Sequence, residues 1–271
     1  MIVGLYCVTS PGGAPGASTT ALGMALSWPG RVLLAECDPM GRRVLPGFMT
    51  DRLAGPPGPG VLGLAMAVQA DPTAPVSVQE YVLPMVEDGS VELLHGIRDP
   101  RHAPQLAALW GPLAQALVTR DGDVVADLGR IGGVETPLGL LKAADAVVML
   151  LKPTLAQIDA AGPRLESLRD VVGDRVTVAL GLVADGTYTA SEIERVLKAP
   201  VLAELPCSPN EARVLSDGAP PRMTFRTSLL VRSLDGLGRR LRKAVADSGA
   251  AGVNGDEASW AAVFAAAGGR R

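Results

Sequence analysis

The sequence predicts an α/β domain, a mostly parallel sheet with helices on both faces. Three observations carry that prediction. Short apolar runs such as Ala146–Leu151 alternate along the chain with longer segments of helical character. The runs are apolar at successive positions, the pattern of strands buried on both faces. The first run also passes through a glycine-rich stretch, SPGGAPGASTT at residues 10–20, into a helix-like segment.

The elements follow in order. Residues 2–8 read as a buried strand ended by Ser-Pro-Gly-Gly, and residues 19–27 as a helix ended by Trp28-Pro29-Gly30. Residues 31–37 form the second strand. The Pro- and Gly-rich residues 45–60 read as a loop, 61–69 as a short helix and 91–95 as a short strand. A helix is expected over 104–119, with Leu106, Leu109, Leu113 and Leu117 on one face. Residues 123–127 and Ala146–Leu151 are strands. Leu155–Val172 is a helix, expected to kink or break at Gly162-Pro163. A strand over 176–183 is followed by a helix over 191–197, entered from the turn at 189–191. The strand Val201–Leu205 then leads to a helix starting at Asn210. Residues 227–246 form a long amphipathic helix. Small residues then dominate, so the domain is placed at 1–247 and a flexible tail at 248–271.

With 271 residues, 48% of them hydrophobic, the chain can build one large core. Aromatics are only 3%, so Val, Leu, Ala and Ile must fill it. A net charge of −3 does not indicate nucleic acid or anionic lipid as a partner of the whole surface. Cys7, Cys37 and Cys207 have neither metal-ligand nor disulfide spacing and read as reduced thiols of a cytoplasmic protein. His95 and His102 have no partners at ligand spacing. The start, MIVGLYCVTS, lacks a basic segment before its apolar run, so a strand is expected and not a signal peptide. No apolar run is long enough to span a bilayer.

In parallel sheets, ligands bind beyond the carboxyl ends of the strands. After the first strand comes the glycine-rich loop. After the second comes Glu36-Cys37-Asp38-Pro39-Met40-Gly41. The strand from Asp123 ends at Asp127, followed by Leu128-Gly129-Arg130, and the strand ending at Leu205 is followed by Pro206-Cys207-Ser208-Pro209. In this order, over residues 1–245, these segments resemble the ParA/MinD family of P-loop ATPases, closest to its TadZ/CpaE-like pilus-assembly branch. The family loop runs K-G-G-x-G-K-T-T.

The resemblance implies a P-loop NTPase fold, ATP or ADP as ligand and Mg²⁺ as a possible companion. It implies a cofactor-binding loop of Gly12, Gly13, Ala14, Gly16, Ala17, Ser18 and Thr19. Ser18 takes the Mg²⁺-binding hydroxyl and Asp127 the Walker B acid. Asp38 matches the switch aspartate, and Pro206 and Pro209 fall in the adenine loop. The pattern is also broken. The family's signature lysine falls on Gly12, its general P-loop lysine on Ala17 and the first P-loop glycine on Pro11. Arg42, Arg43 and Arg130 follow strand ends on the ligand side and are the candidate replacements. Without a cation at the γ-phosphate, ATP binding is expected to be weak or structural, and hydrolysis weak or absent.

Alternatives remain at single positions. Asp127 also reads as a turn cap, Asp38-Pro39 as a turn starter, and Pro206 and Pro209 as a strand stop and helix start. The arginines also read as solvated surface residues. At the level of function, three classes are open. One is a positioning or scaffolding protein for a membrane-associated machine, expected to be a homodimer and recruited to the inner membrane face. Another is a partitioning ATPase with an arginine in place of lysine, and the third is a nucleotide-free interaction module. Trp260 and Phe264, with Arg270 and Arg271, read either as a disordered end or as a short amphipathic contact for a partner or membrane.

Overall fold

The computed structural model describes residues 4–13, 15–53, 55–183 and 186–267, with side chains described as far as residue 248. The chain opens with β1 (Leu5–Ser10), α1 (Ala17–Leu26), β2 (Val32–Glu36) and α2 (Gly60–Ala70). It continues through β3 (Leu83–Pro84), β4 (Val91–Leu94), α3 (Trp110–Val118), β5 (Asp123–Arg130) and α4 (Leu138–Ala143). Then come β6 (Ala146–Leu151), α5 (Leu155–Val172), β7 (Thr177–Val183), α6 (Ala190–Leu197), β8 (Val201–Leu205), α7 (Pro209–Ser216) and α8 (Leu229–Ala267).

The strands form one eight-stranded sheet in the order β3-β4-β2-β5-β1-β6-β7-β8. Every pairing is parallel except that of β3 with β4. Alternate side chains of each strand enter opposite cores, as the pleat requires. Leu5, Cys7, Leu33, Ala35, Val124 and Ala126 join the core under α2 to α6. Tyr6, Val8, Val32, Leu34 and Val125 join the core under α1, α7 and α8. Both faces are covered, which is why the strands read as unbroken apolar runs.

Several expectations need correction. The helix expected over 104–119 is divided into a 3₁₀ segment at Pro100–Leu106 and α3. Pro112 has no N–H to give to the carbonyl of Ala108, so one continuous helix loses a bond there. The apolar face survives the division, since Leu106, Leu109, Leu113 and Leu117 are all buried. In contrast, α5 runs unbroken through Pro163. Pro163 and Asp159 are exposed, so the carbonyl that Pro163 deprives of a donor faces water. The sequence reading missed β3 and α4, which have two and six residues, too few for a periodicity.

The turn at 189–191 does start α6. The Thr189 hydroxyl accepts from the Glu192 N–H, and the Glu192 carboxylate accepts from the Thr189 N–H at 2.8 Å. Cys7 and Cys37 are buried and Cys207 is exposed, all as free thiols. The ring nitrogens of His95 lie 3.0–3.1 Å from the carbonyls of Gly96, Pro57 and Gly58, which fastens the start of α2 to the end of β4. The side chains of Trp260, Phe264, Arg270 and Arg271 lie outside the described residues.

At the amino edge of the sheet, Asp123 accepts from the Gly4 N–H at 2.9 Å and from the Trp28 indole at 2.8 Å, and it pairs with Arg242 at 3.3 Å. This network ties β1, α1, β5 and α8 together on the side away from the loops described next.

Candidate functional site

The carboxyl ends of β1, β2 and β5 meet at the middle of the sheet. Val8 of β1 and Glu36 of β2 both sit in register with Asp127 of β5. The topology reverses here, because β1 lies between β5 and β6. A cavity of about 690 Å³ opens over this edge.

The glycine-rich loop forms one wall. Gly12, Gly13 and Gly16 have positive φ values of 130°, 70° and 95°, which fold the chain back tightly over the end of β1. α1 starts at Ala17 with no side chain capping its first turn. Its leading N–H groups therefore carry the partial positive charge of a helix start toward the cavity, which Ala17, Ser18 and Thr19 line. Pro15 removes one donor from this wall. Ala14 lies outside the described residues. Behind the loop, the Gln157 carboxamide spans the Lys152 N–H at 2.9 Å and the Gly13 carbonyl at 3.4 Å.

Three buried acids stand at the strand ends. Asp127 accepts from the Gly129 N–H at 3.0 Å, and the Ser18 hydroxyl lies near enough to act on its carboxyl. Burial pushes its carboxyl up to about 7; the Ser18 hydroxyl and the Gly129 N–H pull it back, and Asp38 and Glu36 push it further. Asp38 accepts from the Met40 N–H at 2.8 Å. Burial raises it as well, against that bond and the charges of Arg43 and Arg130. Glu36 is raised by burial too, but it has a different job. It accepts from the N–H groups of Arg43 at 2.5 Å, Val44 at 2.8 Å and Gly96 at 3.2 Å, holding the segment after β2 against the end of β4.

The positive charges are arginines. Arg43 and Arg130 line the cavity. A β-carbon placed on Gly12 would lie 3.4 Å from Cδ of Arg130, so the Arg130 stem occupies the space beside the glycine. Arg42 does not line the cavity; its charge is felt beside Glu36 and Arg98.

The structure therefore brings Gly12, Gly13, Gly16, Ala17, Ser18, Thr19, Asp38 and Arg130 around one cavity, with Asp127 beneath it. Pro206 and Pro209 do not line it, and Pro209 is the first residue of α7. The far end of that helix lines it instead, through Leu215, Ser216 and the adjoining Asp217. The sequence reading missed these three, along with Gln157 and Thr9. The Thr9 hydroxyl donates to the Gly129 carbonyl at 3.0 Å. Gln157 follows β6 closely, so the rule of strand carboxyl ends could have found it. The end of α7 is brought here by tertiary packing and leaves no local signal.

The residues fit a nucleotide with a hard divalent cation. No cluster of three or more His, Cys, Asp or Glu side chains suits a metal among the described residues. Mg²⁺ does not require one, since it typically takes one or two protein oxygens, phosphates and water. Ser18 and Asp127, near enough for the hydroxyl to act on the carboxyl, are such a pair.

No family model matches the chain, and no curated protein does. Solved structures do. MinD from Pyrococcus horikoshii OT3, complexed with Mg-ADP, superposes with a TM-score of 0.70 at 14% identity, over 91% of this chain and 98% of that one. A protein assigned to plasmid partition in Borrelia burgdorferi B31, bound to AMPPNP, gives 0.68 at 13% identity, over 89% and 99%. A ParA family ATPase from Chlorobium tepidum TLS gives 0.65 at 16%, over 87% and 97%. The chain has the fold of the ParA/MinD P-loop ATPases.

Proposed function

We propose that this chain is a ParA/MinD-family positioning or scaffolding protein for a membrane-associated machine, nearest the TadZ/CpaE-like pilus-assembly branch. ATP or ADP serves it as a structural or switching ligand, and hydrolysis is weak or absent. Among the described residues no helix is long and apolar enough to cross a membrane.

One observation carries the proposal. The cavity has the backbone of a phosphate site and no lysine in its loop: Gly12 and Ala17 stand where the family has its two. Backbone N–H groups and a helix start still attract an anion. The relatives with Mg-ADP and AMPPNP support a nucleotide as that anion. Loop lysines normally stabilise charge that grows on the transferring phosphoryl group. Losing one such contact costs about 3 kcal/mol in the transition state, or roughly a hundredfold in rate.

Arg130 favours a second reading. Its stem lies against Gly12 and it lines the cavity with Arg43, so a guanidinium is available near the γ-phosphate position. In that case the chain is an active partitioning-type ATPase. Titration with ATP and Mg²⁺, followed by a phosphate-release assay, separates the readings. Binding with negligible turnover supports the scaffold. Turnover comparable to that of a lysine-containing relative, abolished by Asp127→Ala and reduced tenfold or more by Arg130→Ala, supports the ATPase. Failure to bind nucleotide at millimolar concentration leaves an interaction module.

A further inference from the structure

A second cavity, of about 840 Å³, lies on the far side of residues 43–53 from the first. Leu26 of α1, Val214 of α7, Phe48 and Met85 supply much of its apolar lining, with Phe225 at one wall. The chain has only three phenylalanines, and two of them are here. Three guanidiniums, of Arg52, Arg222 and Arg226, stand in the same lining, and no carboxylate does. None of the three pairs with an acid among the described residues. Arg52 is held in place over the Phe48 ring, 4.1 Å from its centroid, and donates to the Phe48 carbonyl. Met223, fully exposed, adds an apolar contact at the mouth.

An apolar floor with an unbalanced positive rim, on a chain whose net charge is −3, selects its occupant by charge. We propose that this groove docks an acidic amphipathic segment of a protein partner. Apolar side chains of that segment fill the recess beside Phe48 and Phe225, and its Asp or Glu side chains meet Arg52, Arg222 and Arg226. The groove is concave, which suits side chains inserted from a helix or an extended strand. A bilayer surface is instead engaged by residues that protrude into it. The proposal does not depend on the nucleotide reading, since nothing in this groove requires a ligand in the first cavity.

The test uses the full chain and a fluorescein-labelled helical peptide with leucines at i, i+4 and i+7 flanked by glutamates. A second peptide carries lysines in place of the glutamates. Anisotropy should show saturable micromolar binding of the acidic peptide only. Arg222→Glu with Arg226→Glu should weaken it at least about tenfold. Both arginines are exposed, so an unchanged melting temperature confirms that the fold is intact. Arg52→Glu gives an independent second variant. Equal binding of the two peptides, indifference to charge reversal, or no binding would overturn the proposal. Binding of phosphatidylserine vesicles that is lost in the same variants, without peptide binding, would overturn it in favour of a lipid contact.

Discussion

Asp127 holds its proton to about 7 because burial disfavours its charged form, with the charges of Asp38 and Glu36 adding to that effect. The unfolded chain releases that proton near 3.8, whereas the folded chain keeps it to about 7. Between those values the native state binds more protons than the unfolded state, so this residue lowers stability as pH rises, levelling off above about 7. Asp127→Asn removes the effect. Denaturant melts at pH 5 and pH 8 should show the variant gaining on the parent at the higher pH, by about 3 kcal/mol at most, since the parent loses stability only from pH 5 to about 7 in that interval. Mg²⁺ with nucleotide should shrink that gap, because a bound cation favours the carboxylate. Glu36 offers a contrasting case. Glu36→Ala leaves the N–H groups of Arg43, Val44 and Gly96 without their acceptor and should cost about 3 kcal/mol or more. Glu36→Gln keeps one oxygen and should cost less, as parallel urea titrations will show. The places of Ser18, Asp38 and Asp127 at one strand edge were legible in the sequence, because Asp38 and Asp127 stand at the ends of apolar runs and Ser18 at the end of the glycine-rich loop after another. The three bonds of Glu36 were not, because they come from backbone that only the folded chain brings near.

At the scale of elements, the segment after β2 and the end of α7 are fitted to one another. A β-carbon on Gly47 would lie 2.0 Å from the Ser216 carbonyl oxygen. Gly47→Ala should therefore force the two apart and cost about 1–3 kcal/mol, measured by urea titration. It should also weaken nucleotide binding more than a surface change of equal size, because both elements line the first cavity. Elements with a continuous apolar run or several helical turns were readable from sequence. β6 and β8, buried by packing on both faces or closed by a turn, match their expected bounds, and α5 does so in spite of Pro163. Elements whose form depends on neighbours were not readable. α4 has only six residues and lies so close to α3 that a β-carbon on Gly139 would meet the Trp110 backbone at 2.7 Å. That closeness is a tertiary fact with no periodic trace.

At the scale of the whole molecule, apolar side chains stand exposed on the face that carries the loops. Met40 follows β2, Val134 and Leu138 follow β5, and Leu155 follows β6. Two copies pairing through this face would cover them, and such contact needs no ligand. Gly12 has no side chain to reach across such a pairing, so pairing should be nearly independent of ATP. Sedimentation should show a dimer with or without ATP and Mg²⁺, and Val134→Glu with Leu155→Glu should give a monomer in both. A monomer that pairs only with ATP would refute this. Leu215 adds a last consequence, since it lines both cavities. A guest that moves it from one side reshapes the room on the other. Reciprocity then binds the two equilibria: whatever factor the nucleotide applies to the peptide's affinity, the peptide must apply to the nucleotide's. Two titrations, each repeated with the other guest saturating, must return the same ratio. A ratio other than one means that the chain reports the state of its phosphate cradle through the company it keeps.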